Sequence, residues 1–276
     1  MLDNLTLPSV PDTVKERIYD DALHPAAKEG GKALETIMLI INKFASPFRT
    51  WATKGKENTE KLAEEVQQRL ASIPPENIIE PKSEIAVPAI MANSYTSSDD
   101  LRSLYANLLA KSMDKTEWSV HPSYVEIIKQ LSSDEALLLK TTPLLKESIP
   151  MCSLRYQKTS EFHEAEMFTL HPQNIIRKLK EGYDILAYHI PQITMFAPDE
   201  LSIMIDNSLR LKLIDIPYDR HLTEKNSYVE FYKDSYVNEI QDTLSQNSNE
   251  DYELVHIMKM ISPTLYGKMF YSICVE

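Results

Sequence analysis

The 276 residues are 43% hydrophobic and 25% charged, enough apolar side chain to fill one large core or two ordinary ones. A formal net charge of −12 repels phosphate backbones, so a nucleic-acid binder of this composition needs a local basic patch, and residues 134–276 are the more acidic half. The scarcity of glycine (5) beside 16 prolines disfavours glycine-rich phosphate loops and suits helices stopped by proline.

Residues 1–27 read as an N-terminal arm with a short amphipathic run, Val14 to Leu23. The first residues lack the basic start and apolar run of a secretory signal, and the chain has only two cysteines, Cys152 and Cys274, so a reducing cytoplasm is expected. From Ala26 to Trp51 apolar residues recur at helical spacing, with a break near Ser46-Pro47. Glu35, Lys43, Arg49 and Pro47 interrupt this stretch, which therefore cannot supply the roughly 20 apolar residues of a membrane-spanning helix.

A charged helix follows over Lys56 to Leu70, with a stripe of Leu62, Val66 and Leu70 along one edge, and Pro74-Pro75 ends it. After a proline-punctuated linker, Ile85 to Tyr95 predicts a short helix with Pro88 in its first turn. Ser97 and Ser98 before Asp99 and Asp100 combine a capping hydroxyl with acidic first-turn residues. The helix they open carries Leu101, Leu104, Tyr105, Leu108, Leu109 and Met113 on one face, the strongest core pattern in the chain. His121-Pro122 opens another, and Ser132 with Glu135 forms a capping box for the next.

Beyond Pro150 the period changes, and Met151 to Gln157 alternates as a strand does. Glu161 to Leu170 alternates in part, Pro172 to Leu179 reads as a helical turn or two, and Ile185 to Phe196 is ambiguous. Pro198-Asp199-Glu200 starts a helix through Leu201, Ile205, Leu209 and Leu213, after which Ile214 to Pro217 is extended. Residues 218–251 are polar, acidic and rich in tyrosine, ending in a solvated loop over Ser245 to Asp251. Leu254 to Met260 suits a strand, and Ser262-Pro263 leads into a final helix bearing Leu265, Met269, Phe270 and Ile273. The expected fold is α+β, mostly α: a helical bundle over 28–131, then a mixed α/β part over 132–276.

Several of these segments resemble a known family. Pro74 to Pro81 (PPENIIEP), Leu101 to Asp114 (LRSLYANLLAKSMD), His121 to Ala136 (HPSYVEIIKQLSSDEA) and Ser262 to Cys274 (SPTLYGKMFYSIC) resemble the Abi-alpha family of bacterial proteins, named for abortive infection. The resemblance covers most of the chain after about residue 28. It implies a role in phage defence, in which the infected cell stops growing or dies before phage is released. It implies no reaction and carries no catalytic residues onto these positions.

The residues themselves give no catalytic, cofactor or metal site. Phe162-His163-Glu164-Ala165-Glu166-Met167 lacks the second histidine of H-E-x-x-H, and His163 with His171 is better read as part of a polar strand surface than as a metal pair. His121 reads as a capping or packing residue, Asp99 and Asp100 as first-turn charges, and no serine sits in a G-x-S-x-G elbow. A hydrolase of another kind predicts a polar cleft with converging acids and a histidine.

Two sharper readings remain. Ile37, Ile40, Ile41, Phe44, Phe48 and Trp51 form an oily face followed by Lys54 and Lys56, fit to bury itself in a bundle, to meet a partner, or to lie on the inner face of an anionic membrane. The order of elements in the second half also suggests a modified winged helix, in which Asn207, Ser208, Arg210 and Lys212 line a recognition helix. Asp206, Asp215 and the acidic balance count against DNA there. The expected function is thus defence by a non-enzymatic effector or sensor that touches a phage or host protein or the membrane, the alternative being a winged-helix DNA-binding regulator. Homo-oligomerisation stays open.

Overall fold

The computed structural model of the protein describes residues 52–158, 182–217, 220–223, 226–247 and 252–276. The chain divides into two compact units, Met1–Ala136 with Ser272–Glu276, and Leu137–Tyr271. Among the described residues the fold is α+β and mostly α, with a four-stranded antiparallel sheet in the second unit.

In the first unit, α1 (Ala52–Leu70), α2 (Ser83–Ser94), α3 (Asp99–Ser112) and α4 (Ser123–Ile128) pack by their apolar faces. The stripe Leu62, Val66 and Leu70 on α1 is fully buried, so this helix belongs to the core and is more than an edge. On α2, Ala86, Ala89 and Ala92 are buried, and such small side chains let neighbouring backbones approach closely. Pro88 lies inside α2, not in its first turn, because the helix begins two residues earlier than the apolar pattern, at Ser83. Asn58 of α1 donates to the Thr96 carbonyl at 2.7 Å, and Asn93 of α2 returns a bond to the Asn58 carbonyl at 2.9 Å.

On α3 the predicted core face is buried from Leu104 to Met113, whereas Leu101 is only half-buried. Arg102 is the surprise, at 7% exposure. A buried guanidinium persists only where partners replace its water. Its Nε meets Glu65 of α1 at 2.8 Å and its Nη2 meets Asp99, while Glu65 also meets Arg69 at 3.2 Å. Arg69 in turn donates to Asn107 and, at 3.0 Å, to Ser103 of α3. Asn107 completes the chain by donating to the Cys274 carbonyl at 2.8 Å, which fastens the C-terminal residues to α3. The caps read from sequence are in place: Ser98 accepts from Leu101 N at 3.3 Å, and Ser132 and Glu135 exchange bonds of 3.1 and 2.6 Å at the start of α5 (Ser133–Thr141).

The second unit is built on β1 (Ile149–Lys158), β2 (Gly182–His189), β3 (Ile214–Asp215) and β4 (Tyr252–Pro263), in the order β2-β1-β4-β3. β1 pairs along its full length with β4, from Ile149 opposite Ile261 to Lys158 opposite Tyr252. One face of the sheet carries Cys152, Leu154 and Leu186 against Tyr228, Phe231 and Val237, with Tyr236 and Ile240 packed beside them. Val237 and Ile240 come from α7 (Ser235–Asn247), a helix that the polar, acidic composition of 218–251 concealed. Its apolar residues are few, yet they share one stripe, and Ser245 to Asn247 are its last turn and not loop. α6 (Pro198–Arg210) buries Leu201, Met204, Ile205 and Ser208 and packs along β2.

α8 (Leu265–Phe270) is set by a close approach. Thr264 caps it by accepting from Gly267 N at 2.8 Å, while Thr264 N donates to the Leu213 carbonyl at 3.0 Å. A side chain at Gly267 would put its Cβ 1.9 Å from that same Leu213 oxygen, so only glycine fits there.

Two stability predictions follow from these contacts. Gly267→Ala should lower stability by about 3 kcal/mol, because backbone must move to relieve the clash. Arg102→Ala should cost about 2 kcal/mol, below the usual loss for a broken buried pair because Glu65 keeps Arg69 and Asp99 faces solvent. Urea unfolding of both variants, followed by circular dichroism, checks the two values.

Candidate functional site

The candidate membrane or partner face, Ile37, Ile40, Ile41, Phe44, Phe48 and Trp51, lies outside the described residues, as do His163 and His171. No described helix is long and apolar enough to cross a membrane.

The four candidate nucleic-acid residues fall at the end of α6, but they do not form one presenting face. Ser208 is 1% exposed and turned into the protein. The Asn207 side-chain oxygen accepts from Arg210 Nε at 3.0 Å and Nη2 at 2.6 Å, so those two side chains engage one another. Lys212 stands in a left-handed turn with φ 59°, beyond the helix, where its carbonyl accepts from Thr264 Oγ1 at 2.6 Å. The exposed residues on the open side of α6 include Ile203, Asp206 and Arg210, an apolar, an acidic and a basic side chain, so no basic face gathers there among the described residues.

His121 behaves as a helix-start residue: its Nδ1 accepts from Ser123 N at 3.1 Å and lies 2.7 Å from Ser123 Oγ. A cleft of about 320 Å³ opens between Tyr95, Ser97, Ser98, Leu101, Tyr105 and Lys129. Burial pushes the Tyr105 hydroxyl well above its usual range, so it stays a neutral donor. The Lys129 ammonium is held by Glu126 at 2.9 and 3.0 Å, which leaves the cleft, among the described residues, no free cation with which to draw in an anion.

The second unit holds two arrangements that no sequence motif announced. The first is a histidine within an aromatic cluster. His189, at the end of β2 opposite Cys152, is 3% exposed. Its ring meets Phe231 edge-on at 5.8 Å and stacks on Tyr236 at 6.2 Å. The Asp234 carboxylate stands 3.8 Å from His189 Nε2, beyond hydrogen-bond reach, and that nitrogen has no hydrogen-bond partner among the described residues. Burial pushes the imidazole below its ordinary range, Asp234 pulls it part of the way back, and His256 pushes it down again. His256 itself lies 5.0 Å from the Tyr232 ring.

The second arrangement is on the opposite face of β1. Lys259 of β4 donates to Ser153 Oγ at 2.8 Å, and Ser153 Oγ donates to the Ala187 carbonyl at 2.7 Å. Burial lowers the Lys259 amine below the usual lysine range, with Asp184 and Cys152 opposing the shift. The two residues are 106 positions apart, so only the alternation of both strands, with the register between them, could have revealed the pair. Among the described residues no three histidine, cysteine or acidic side chains gather as metal ligands.

Such a chain, helices in one unit and an aromatic-lined antiparallel sheet in the other, is of an α+β class that names no activity by itself. It belongs to the abortive infection alpha family, whose model matches residues 54–274. That family suggests a part in phage defence. No curated protein and no solved structure matches the chain.

The environment of His189 has a measurable consequence. A histidine whose folded-state pKa is depressed binds its proton more readily when unfolded, so its contribution to stability is intact above about pH 6.5 and is lost as pH falls through the window below. Urea midpoints measured between neutral and mildly acidic pH should therefore fall more steeply for the parent protein than for His189→Gln. Asp234→Asn, which removes a nearby charge favouring the proton, should steepen the fall further.

Proposed function

We propose that this protein is a phage-defence effector or sensor that acts without catalytic turnover, through contact with a phage or host protein in the cytoplasm. Family membership supports the defence role, and one surface feature supports the contact. Trp118 is 86% exposed, the most exposed of the large hydrophobic residues described.

Its loop is not loose. Asp114 accepts from Glu117 N at 3.0 Å through its carbonyl and from Thr116 N at 2.9 Å through its side chain, while Glu117 accepts from Ser119 N at 3.1 Å. Two further bonds tie the same segment to its neighbour, Ile79 N to the Met113 carbonyl at 2.8 Å and Lys115 N to the Asn77 carbonyl at 2.9 Å. A tryptophan held out on a fixed loop has already lost most of the backbone entropy that binding removes, and its ring offers the largest apolar area of any side chain. Ile79, 42% exposed on the tied segment, adds to the apolar character there.

A second route of contact runs through Ile37, Ile40, Ile41, Phe44, Phe48 and Trp51, which by sequence suit a membrane surface, a partner or a second copy of the chain. The alternative of a winged-helix DNA-binding regulator is weaker, since it asks Ser208 to read DNA from a buried position and Arg210 to leave Asn207.

Cells expressing the protein, challenged with a panel of phages, test the proposal. Trp118→Ala should leave the purified protein folded, with an unfolding free energy within about 0.5 kcal/mol of the parent as for other exposed sites, and should abolish or sharply reduce protection. Full protection by this variant would reject the Trp118 contact. Charged substitutions at Ile41 and Phe44 test the second route in the same assay.

A further inference from the structure

The start of α1 is held in one place. A Cβ on Gly55, in its first turn, would stand 3.5 Å from the Ser94 carbonyl oxygen, and Asn58 donates to the Ser94 and Thr96 carbonyls at 3.2 and 2.7 Å. These contacts fix the beginning of α1 against the C-terminal end of α2, where Tyr95 stands. Trp51 is bonded to Ala52, the first residue of α1, so no linker separates the oily face that ends in Trp51 from that point.

The surface at that end is apolar and open. On α2, Met91 is 48% and Tyr95 58% exposed, and with the half-buried Val87 they are spaced four apart, along one side of the helix. Tyr95 also lines the cleft of about 320 Å³, together with Ala92, Leu101 and Tyr105. Tyr105 is 2% exposed, yet among the described residues its hydroxyl makes no hydrogen bond. A buried hydroxyl without a partner is costly, so a group that supplies one completes the site. An anion is poorly suited, since Asp99 and Asp100 stand in the first turn of α3 beside Ser98, and Lys129 is held by Glu126. An uncharged apolar surface bearing a hydrogen-bond donor fits instead.

We propose that the chain's own segment from Ala33 to Trp51 seats its oily face on this strip and cleft, with Trp51 at Tyr95. The indole N–H only donates, which makes it the complement of the Tyr105 oxygen. The break at Ser46-Pro47 is what such docking needs, because a helix continued straight from Ala52 would carry Ile37 about 22 Å past the point of attachment. Folded back at the proline, a helix from Ile37 to Phe44 is about 10 Å long, against about 12 Å from Val87 to Tyr95. Tethered beside the site, the segment meets it at an effective concentration on the order of millimolar, which favours it over a separate partner or a second copy. Docked in this way, the face is covered in the resting protein, and the second route of contact opens when the segment leaves. The inference rests on that route for its use, whereas the docking itself needs no partner.

Fluorescence of the intact chain tests it, because Trp51 and Trp118 are its two tryptophans. In Trp118→Phe, a change at an exposed position, Trp51 is the one tryptophan left to emit. Its quenching by acrylamide should be about threefold weaker in buffer than in concentrated urea. Adding Tyr95→Ser or Met91→Glu, both at exposed positions, should raise the quenching in buffer close to the urea value, while circular dichroism shows that helix content is kept. Quenching in buffer equal to that in urea would overturn the proposal, as would shielding that survives both substitutions. Shielding lost on dilution would overturn it too, since the occupant would then be a second copy. No phage enters this measurement. Full protection by the Ile41 and Phe44 variants would therefore remove the second route and leave the docking in place, whereas an unshielded Trp51 would do the reverse.

Discussion

The pairing of β1 with β4 is the constraint on which the second unit depends. Because successive side chains on a strand point to opposite faces, one register decides both environments at once. It sends Cys152 and Leu154 to the aromatic face that α7 covers, and Ser153 to the face where Lys259 can reach it. A slip of one residue would turn Ser153 into the aromatic cluster and Cys152 towards Lys259. The bond from the Tyr228 hydroxyl to the Lys259 carbonyl, 2.7 Å long, helps exclude that slip by tying a covering residue to a particular point of β4.

The first unit obeys a different logic. Its helices are oriented by apolar stripes, but polar bonds fix how α1 and α3 are set against each other. Glu65 lies between Arg69 and Arg102, and α3 answers with Ser103 and Asn107. Such a network adds little net energy over a well-packed apolar contact, since desolvation offsets most of the attraction. Its effect is on specificity: a sliding of one helix along the other would strand a buried charge.

Elements governed by local chemistry were legible in the sequence. The Ser98 cap, the Ser132–Glu135 box, the core face of α3 and the strand at β4 follow from neighbours three or four residues apart, or from a period of two. What stayed hidden depends on partners far along the chain. Arg102 looks like a surface residue until α1 supplies Glu65, and α7 looks like acidic loop until the sheet supplies an apolar face for Val237 and Ile240. Ser153 and Lys259 are ordinary residues of two separate strands until those strands lie side by side. Trp118 was missed for the opposite reason, since nothing in its neighbours tells an exposed tryptophan from a buried one. Asn207, Ser208, Arg210 and Lys212 show the same limit, because helical spacing groups residues without saying which side faces the protein.

The bond from Asn107 to the Cys274 carbonyl has a temporal consequence. The first unit contains both the early helices and Ser272–Glu276, while residues 137–271 leave it and return to it. A chain made from its amino end therefore exposes all of Leu137–Tyr271 before the last piece of the first unit exists. Domains commonly complete themselves in order of synthesis. Here the later unit can close first, and the earlier one waits, its α3 amide without the Cys274 carbonyl, until Ser272–Glu276 have been made.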